Sequence, residues 1–367
     1  MPIPFSEHLK FLQRIVAGNR VSIENCFADS AFSDDEFVRF MQRQKLAGFL
    51  FGSLERTGMA DHLAPYNREL LAGIYCQQRE KFDRLVGELC RLLNSFGDPE
   101  PEILWIKGPI FAQRFYGDSG LRRIADLDVV VKGDLEISEI DGFLRKVGYQ
   151  RTSNLPLGGY LARKVIHSLE YRNGRTKLDV HWTFRTHCSY RIDYERVWQK
   201  KQSLELSGAE VQTLCDKDAL LLLLVSIFSD LQIGHIRQKA FVDVVMILRR
   251  IHDQIDWGNF LQEREQEGLL AITVNVLDLV LGILDCREAF DALAGSIDAN
   301  YRLVSLTDLE DKIKLLDSRG RAFRNKLWSM PLYDDPLLQS FGWWVISLPV
   351  KLPAYGLRTS ARLIRPS

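Results

Sequence analysis

Three aspartates carry the chemistry that can be read from this chain. Asp126 and Asp128 flank Leu127 and run into Val129-Val130-Val131. If this stretch is a strand, its period of two puts both carboxylates on one face and Leu127 and Val129 on the other. Two carboxylates about 7 Å apart along a strand repel unless a cation or a proton lies between them. A divalent metal ion is one answer; an edge strand with two solvated aspartates is the other. Further on, Asp179 and His181 share one face of a second candidate strand, with Leu178, Val180 and Trp182 opposite. Three carboxylates converging on neighbouring strands would suit a two-metal phosphoryl transfer, in which ions clamp the attacking and leaving oxygens. Mg2+ fits such hard oxygen ligands, with Mn2+ as the substitute.

The elements that must position these groups follow from the local pattern. Leu104-Trp105-Ile106 reads as a short buried strand ending in Lys107-Gly108, where the glycine allows close approach of backbone to a phosphate. Pro109 fits the first turn of a following helix, and the distance to Asp126 leaves room for about two helical turns and a loop. Ile137 to Val147 is an amphipathic helix stopped at Gly148. Lys164–Tyr171 and Lys177–Phe184 flank Asn173-Gly174, a two-residue hairpin signal. His181 is read as a proton-orienting group or a satisfied structural histidine, and His167 likewise. His187-Cys188 lacks partners at metal-ligand spacing.

Helices surround this segment. In residues 1–100, Ser33 precedes Asp34-Asp35-Glu36 as a candidate cap. Further helices run over Leu46–Leu54, ended by Thr57-Gly58, and from Tyr66 to Phe96, with Gly97 as the stop. Asp216-Lys217-Asp218 opens the apolar Ala219–Phe228 helix, Ala240–Ile251 follows, and Asp256-Trp257 opens a third. Asn275 and Asp278 place a polar contact in a core helix. The expected architecture is α+β: a helical region over 1–100, a small mixed-sheet core over 101–200, a helical domain over 201–330 and a basic, aromatic tail over 331–367. That tail, with Trp343, Trp344, Arg358, Arg362 and Arg365, reads as a terminal helix docking on the core or as a membrane-surface segment.

Composition narrows the function. The 367 residues carry 48 Lys plus Arg against 48 Asp plus Glu, so no global field draws the chain to nucleic acid or membrane. Hydrophobic content of 46% and charged content of 26% are those of a soluble globular protein. Six scattered cysteines, without a CxxC pair, suit a reducing compartment. No signal peptide or bilayer-spanning run is expected, which points to the cytoplasm.

The combined motifs resemble the nucleotidyltransferases of the DNA polymerase beta superfamily, and more narrowly a bacterial group of uncharacterised nucleotidyltransferases. The resemblance rests on Ile106-Lys107-Gly108, Arg122 four residues ahead of Asp126-Leu127-Asp128, Asp179-Val180-His181-Trp182, then Arg237, Asp243 and Asp256-Trp257. It covers roughly residues 40 to 270. It implies a nucleotidyltransferase core that moves a nucleoside monophosphate from an NTP to an acceptor. Asp126, Asp128 and Asp179 would be the catalytic metal ligands, and Lys107, Gly108 and Arg122 would contact the nucleotide. The acceptor is a small molecule or a peptide or protein rather than nucleic acid. One departure stands out: the wider superfamily has Gly-Ser after the first strand, whereas here Pro109 offers neither N–H nor hydroxyl. Lys107 and Arg122 are expected to supply the missing phosphate contacts as charges. The rival reading is a catalytically weak nucleotide-binding or partner-binding module on the same fold.

Overall fold

The computed structural model describes residues 5–29, 32–96, 102–132, 137–152, 167–184, 191–233 and 237–299. The expectations for His187-Cys188, for Gly97 and for the tail from 331 fall outside the described residues.

The architecture is mixed α+β. Seven strands, β1 (Ile103–Ile106), β2 (Leu127–Val131), β3 (Gln150–Arg151), β4 (Ser168–Arg172), β5 (Lys177–His181), β6 (Gln202–Leu206) and β7 (Ala209–Thr213), form one sheet in the order β3-β4-β5-β2-β1-β7-β6. β1 and β2 are antiparallel, with Ile106 opposite Asp128. β2 and β5 are parallel and in register, Leu127 against Leu178 and Asp128 against Asp179. Leu104, Trp105, Ile106, Val129, Val130 and Val131 are all buried, as near-continuous apolar runs in central strands should be.

Two local expectations are corrected. β5 ends at His181 rather than Phe184, and β4 runs on to Arg172, with residues 164–166 outside the described residues. The last pair is Arg172 with Lys177, so four residues connect the strands rather than two. The Asn173 side chain explains the longer turn: its Oδ1 accepts from the N–H groups of Arg175 (3.3 Å) and Thr176 (2.9 Å). Residues 202–213, expected to open a helical domain, instead form the hairpin β6–β7. Their alternation is weak and β6 is largely exposed, which is what an edge strand requires and what hides it from a hydrophobic pattern.

The helices otherwise follow the pattern. Helix 47–57 ends at Gly58, left-handed at φ 68°, and helix 65–95 begins on Pro65. Ser33 stands at the cap position of helix 34–43, but its hydroxyl makes no capping bond. Asp256 does cap helix 257–266, accepting from the Asn259 N–H at 3.0 Å. Helix 216–233 is apolar nearly all round because it is packed between helices 238–251 and 270–283. Among the described residues, no helix is long and apolar enough to cross a membrane.

The N-terminal helices meet the loop before β2 at a glycine contact. Gly48 lies against the carbonyl of Gly120, Gly52 against Leu121, and Gly120 under the ring of Tyr75. A methyl group on Gly48 would come within 2.2 Å of the Gly120 carbonyl oxygen, a backbone atom that cannot swing aside. Gly48→Ala is therefore expected to lower stability by about 1–3 kcal/mol, read as a reduced urea midpoint. An unchanged midpoint would mean that this helix does not bear on the loop leading to Arg122.

Candidate active site

The site begins where β1 ends. Lys107 has φ 49° and ψ −136°, and Gly108 follows at φ 35°. Two successive positive φ values reverse the chain into the short helix 108–111, which continues as a π-turn over 112–116. For a lysine this backbone costs about 1–3 kcal/mol and persists only where its surroundings over-determine it. A Cβ on Gly108 would stand 2.9 Å from the Asp126 carbonyl oxygen, so the turn is pressed against the backbone entering β2.

Arg122 over-determines that turn. Its Nη1 donates to the Gly108 carbonyl at 3.0 Å, and its other side grips Asp243 through Nε (2.8 Å) and Nη2 (3.0 Å). The guanidinium lies over the Phe111 ring, 5.4 Å from its centroid. Asp243 also accepts from the Tyr116 hydroxyl at 2.5 Å and from Lys239 at 2.6 Å. Both members of the pair are buried, with side chains 6% and 3% exposed. Burial alone would raise the Asp243 carboxyl, but the charges of Arg122 and Lys239 outweigh it and hold it well below the usual range. Burial and the neighbouring Arg122 push Lys239 down to about 8. Each nitrogen of the Arg122 fork thus has a protein partner.

The acids stand on three adjacent strands, as the sheet register dictates. Asp128 on β2 is paired with Asp179 on β5, and Glu170 on β4 is opposite Asp179. The Nε2 of His181 lies 3.1 Å from Asp128 Oδ1, and the His167 ring is tilted beside His181 at 5.8 Å. One ligand atom each from Asp128, Asp179 and His181 falls within 4.8 Å of the others, a spacing that could hold a metal ion. Lys177 reaches across the same face. Its Nζ donates to Asp179 at 2.8 Å and Asp126 at 3.1 Å, and lies 3.2 Å from Glu170.

These contacts set the protonation of the cluster. Burial, then the neighbouring Asp128, raises Asp126. Burial pushes Asp179 up to about 6, with Lys177 opposing. Asp128 goes the other way: burial is outweighed by the His181 hydrogen bond and by the charges of Lys107 and Lys177. A low-lying carboxylate beside two raised ones is an arrangement short of positive charge, which a divalent ion would relieve.

Residues 30–284 match the family described as uncharacterised nucleotidyltransferase. The chain belongs to this family. All six residues expected at the site lie within the matched span of the uncharacterised nucleotidyltransferases, as do Lys177, His181 and Asp243. Among solved structures, the chain is similar to an antigenic nucleotidyltransferase-like protein from Paracoccidioides brasiliensis, at 15% identity and a TM-score of 0.33, over 60% of this chain and 93% of that one. No curated protein matches the chain.

Lys177 and Asp243 were not singled out as site residues from sequence. Lys177 was within reach of the argument, since it precedes Asp179 by two on the same strand and must share its face. Asp243 lies on a helix remote in sequence, and nothing local marks it as the partner of Arg122.

Removing one member of a buried charge pair leaves the other uncompensated. Arg122→Met should destabilise the protein by about 3–5 kcal/mol, whereas Asp126→Asn, which relieves repulsion with Asp128 and leaves Lys177 paired to Asp179 and Glu170, should change stability little. Urea unfolding of the two variants checks this; similar losses for both would mean that the Arg122–Asp243 pair does not anchor the turn.

Proposed function

We propose that this uncharacterised nucleotidyltransferase, a member of the DNA polymerase beta-like superfamily, moves a nucleoside monophosphate from an NTP to a small-molecule, peptide or protein acceptor. The oxygen of an acceptor hydroxyl bonds to the α-phosphorus, the bond to the β-phosphate oxygen breaks, and pyrophosphate leaves. The observation that carries this reading is the in-register pairing of Asp128 with Asp179, which gathers carboxylates from distant parts of the chain on one face.

The donor set fits a divalent cation. Carboxylate oxygens suit Mg2+, and the His181 nitrogen among them makes Mn2+ an equally good occupant. Of the three aspartates expected at the site, Asp128 and Asp179 would hold it together with the His181 nitrogen, with Asp126 beside them on Lys177. A bound ion would supply neutralisation of phosphate charge and a lowered pKa for a coordinated hydroxyl. The remaining work belongs to the chain. Asp179 orients the acceptor hydroxyl and receives or passes on its proton. The His181 ring nitrogen that lies 3.1 Å from Asp128 would turn to the ion as its third ligand. Lys107, near Asp126 and Asp128 in the field that sets their protonation, meets the phosphates as a point charge. Arg122 supports phosphate binding through Gly108, by fixing the backbone over which the phosphates pass.

Incubation of the protein with labelled NTPs, Mg2+ or Mn2+ and a cell extract tests transfer and reveals the acceptor class. Asp179→Asn is expected to leave NTP binding nearly intact while label transfer falls by orders of magnitude. Transfer at the wild-type rate would reduce Asp179 to an ordinary strand aspartate. No transfer to any fraction, with NTP binding retained, would favour a nucleotide-binding module instead.

Lys107→Ala should weaken triphosphate binding about tenfold or more, since a charge-assisted contact contributes roughly 1.5–3 kcal/mol. Monophosphate binding should change less. Calorimetric titration with a non-hydrolysable NTP and the matching NMP separates the two; equal losses would take Lys107 away from the outer phosphates.

A further inference from the structure

Lys177 is built into the acidic face by the sheet itself. It opens β5, directly after the Asn173 turn, and alternation puts it on the side of Asp179. On β2, Asp126 immediately precedes the Leu127–Leu178 pair, just as Lys177 does on β5, so the two stand side by side. On β4, Glu170 opposite Asp179 is the diagonal neighbour of Lys177. Three acids on three strands therefore surround one ammonium, at 2.8, 3.1 and 3.2 Å.

We propose that the Lys177 ammonium stands where a two-metal site would put its second ion, so that this protein works with one divalent cation, held by Asp128, Asp179 and His181. The inference rests on the nucleotidyl-transfer reading and concerns its metal stoichiometry. Lys177 occupies Asp126 and one oxygen of Asp179, leaving Asp128 and the His181 nitrogen outside its cage. Mg2+ and Mn2+ need close approach of bare oxygens at about 2.0–2.2 Å, which an ammonium already bonded to those oxygens blocks. Charge leads the same way. Glu170 is balanced by Arg172 at 2.9 Å. Lys177 offsets one aspartate charge directly, at 2.8 Å from Asp179 and 3.1 Å from Asp126, which lowers the demand for a second divalent ion. A second ion would have to evict Lys177 from three carboxylates at once.

Equilibrium dialysis of the full chain against MnCl2 and a saturating non-hydrolysable NTP, with bound Mn2+ counted by electron paramagnetic resonance, decides the matter. The wild-type protein should hold one ion, and Lys177→Met, of similar length but uncharged, should hold two. Two ions in the wild type would overturn the inference and leave the proposed activity standing. No bound ion in the presence of the nucleotide would overturn both. One ion in both proteins would overturn the assignment of the second ion's place to Lys177. The wild-type count needs no variant, so it stands even if Lys177→Met fails to fold.

Discussion

The buried pair of Arg122 and Asp243 is the constraint on which the rest of the site depends. It joins the loop before β2 to helix 238–251 and, through the third nitrogen of Arg122, fixes the carbonyl of Gly108. That carbonyl belongs to a turn in which Lys107 adopts a backbone that lysine rarely takes by itself. A buried ion pair adds little net stability compared with an apolar isostere, but it is intolerant of misplacement. Here it fixes one geometry of the Lys107-Gly108 turn beside the carboxylates. The helical regions are thus part of the site's support.

A second constraint is the parallel pairing of β2 with β5. Parallel register aligns equivalent positions on the two strands, so acids placed at corresponding points stand next to each other. Repulsion between them is answered locally: His181 bonds Asp128, and Lys177 spans Asp126 and Asp179. The apolar partners on the opposite face, Leu127, Val129, Leu178 and Val180, are buried and hold the strands regardless of what the acids do. Chemistry and cohesion are separated by the two faces of one sheet.

Much of this was legible from sequence because it depends on local periods. The alternation at 126–131 and 177–182, the Lys107-Gly108 turn and the helix termini at Gly58 and Asp256 each follow from a short stretch of chain. What was not legible depends on distant partners. Arg122 read as a free cation for phosphate, and only the fold shows Asp243 and the Gly108 carbonyl on its fork. The β6–β7 hairpin escaped because an exposed edge strand has no apolar face to announce it. The turn at Asn173-Gly174 was recognised, but its length was set by side-chain bonds of Asn173 that no dipeptide signal encodes.

The crossover between β2 and β5 carries one more implication. Asp128 and Asp179 are about fifty residues apart, so their meeting is a non-local event whose loop-closure entropy must be met before the contact forms. Until the hairpin docks, neither strand offers more than a weak, solvated site. An ion that binds the paired strands but not the separate ones therefore draws the folding equilibrium toward the native state. A divalent cation taken up at the proposed site would then report chain assembly: its uptake during refolding would time the closing of the sheet rather than the formation of any helix.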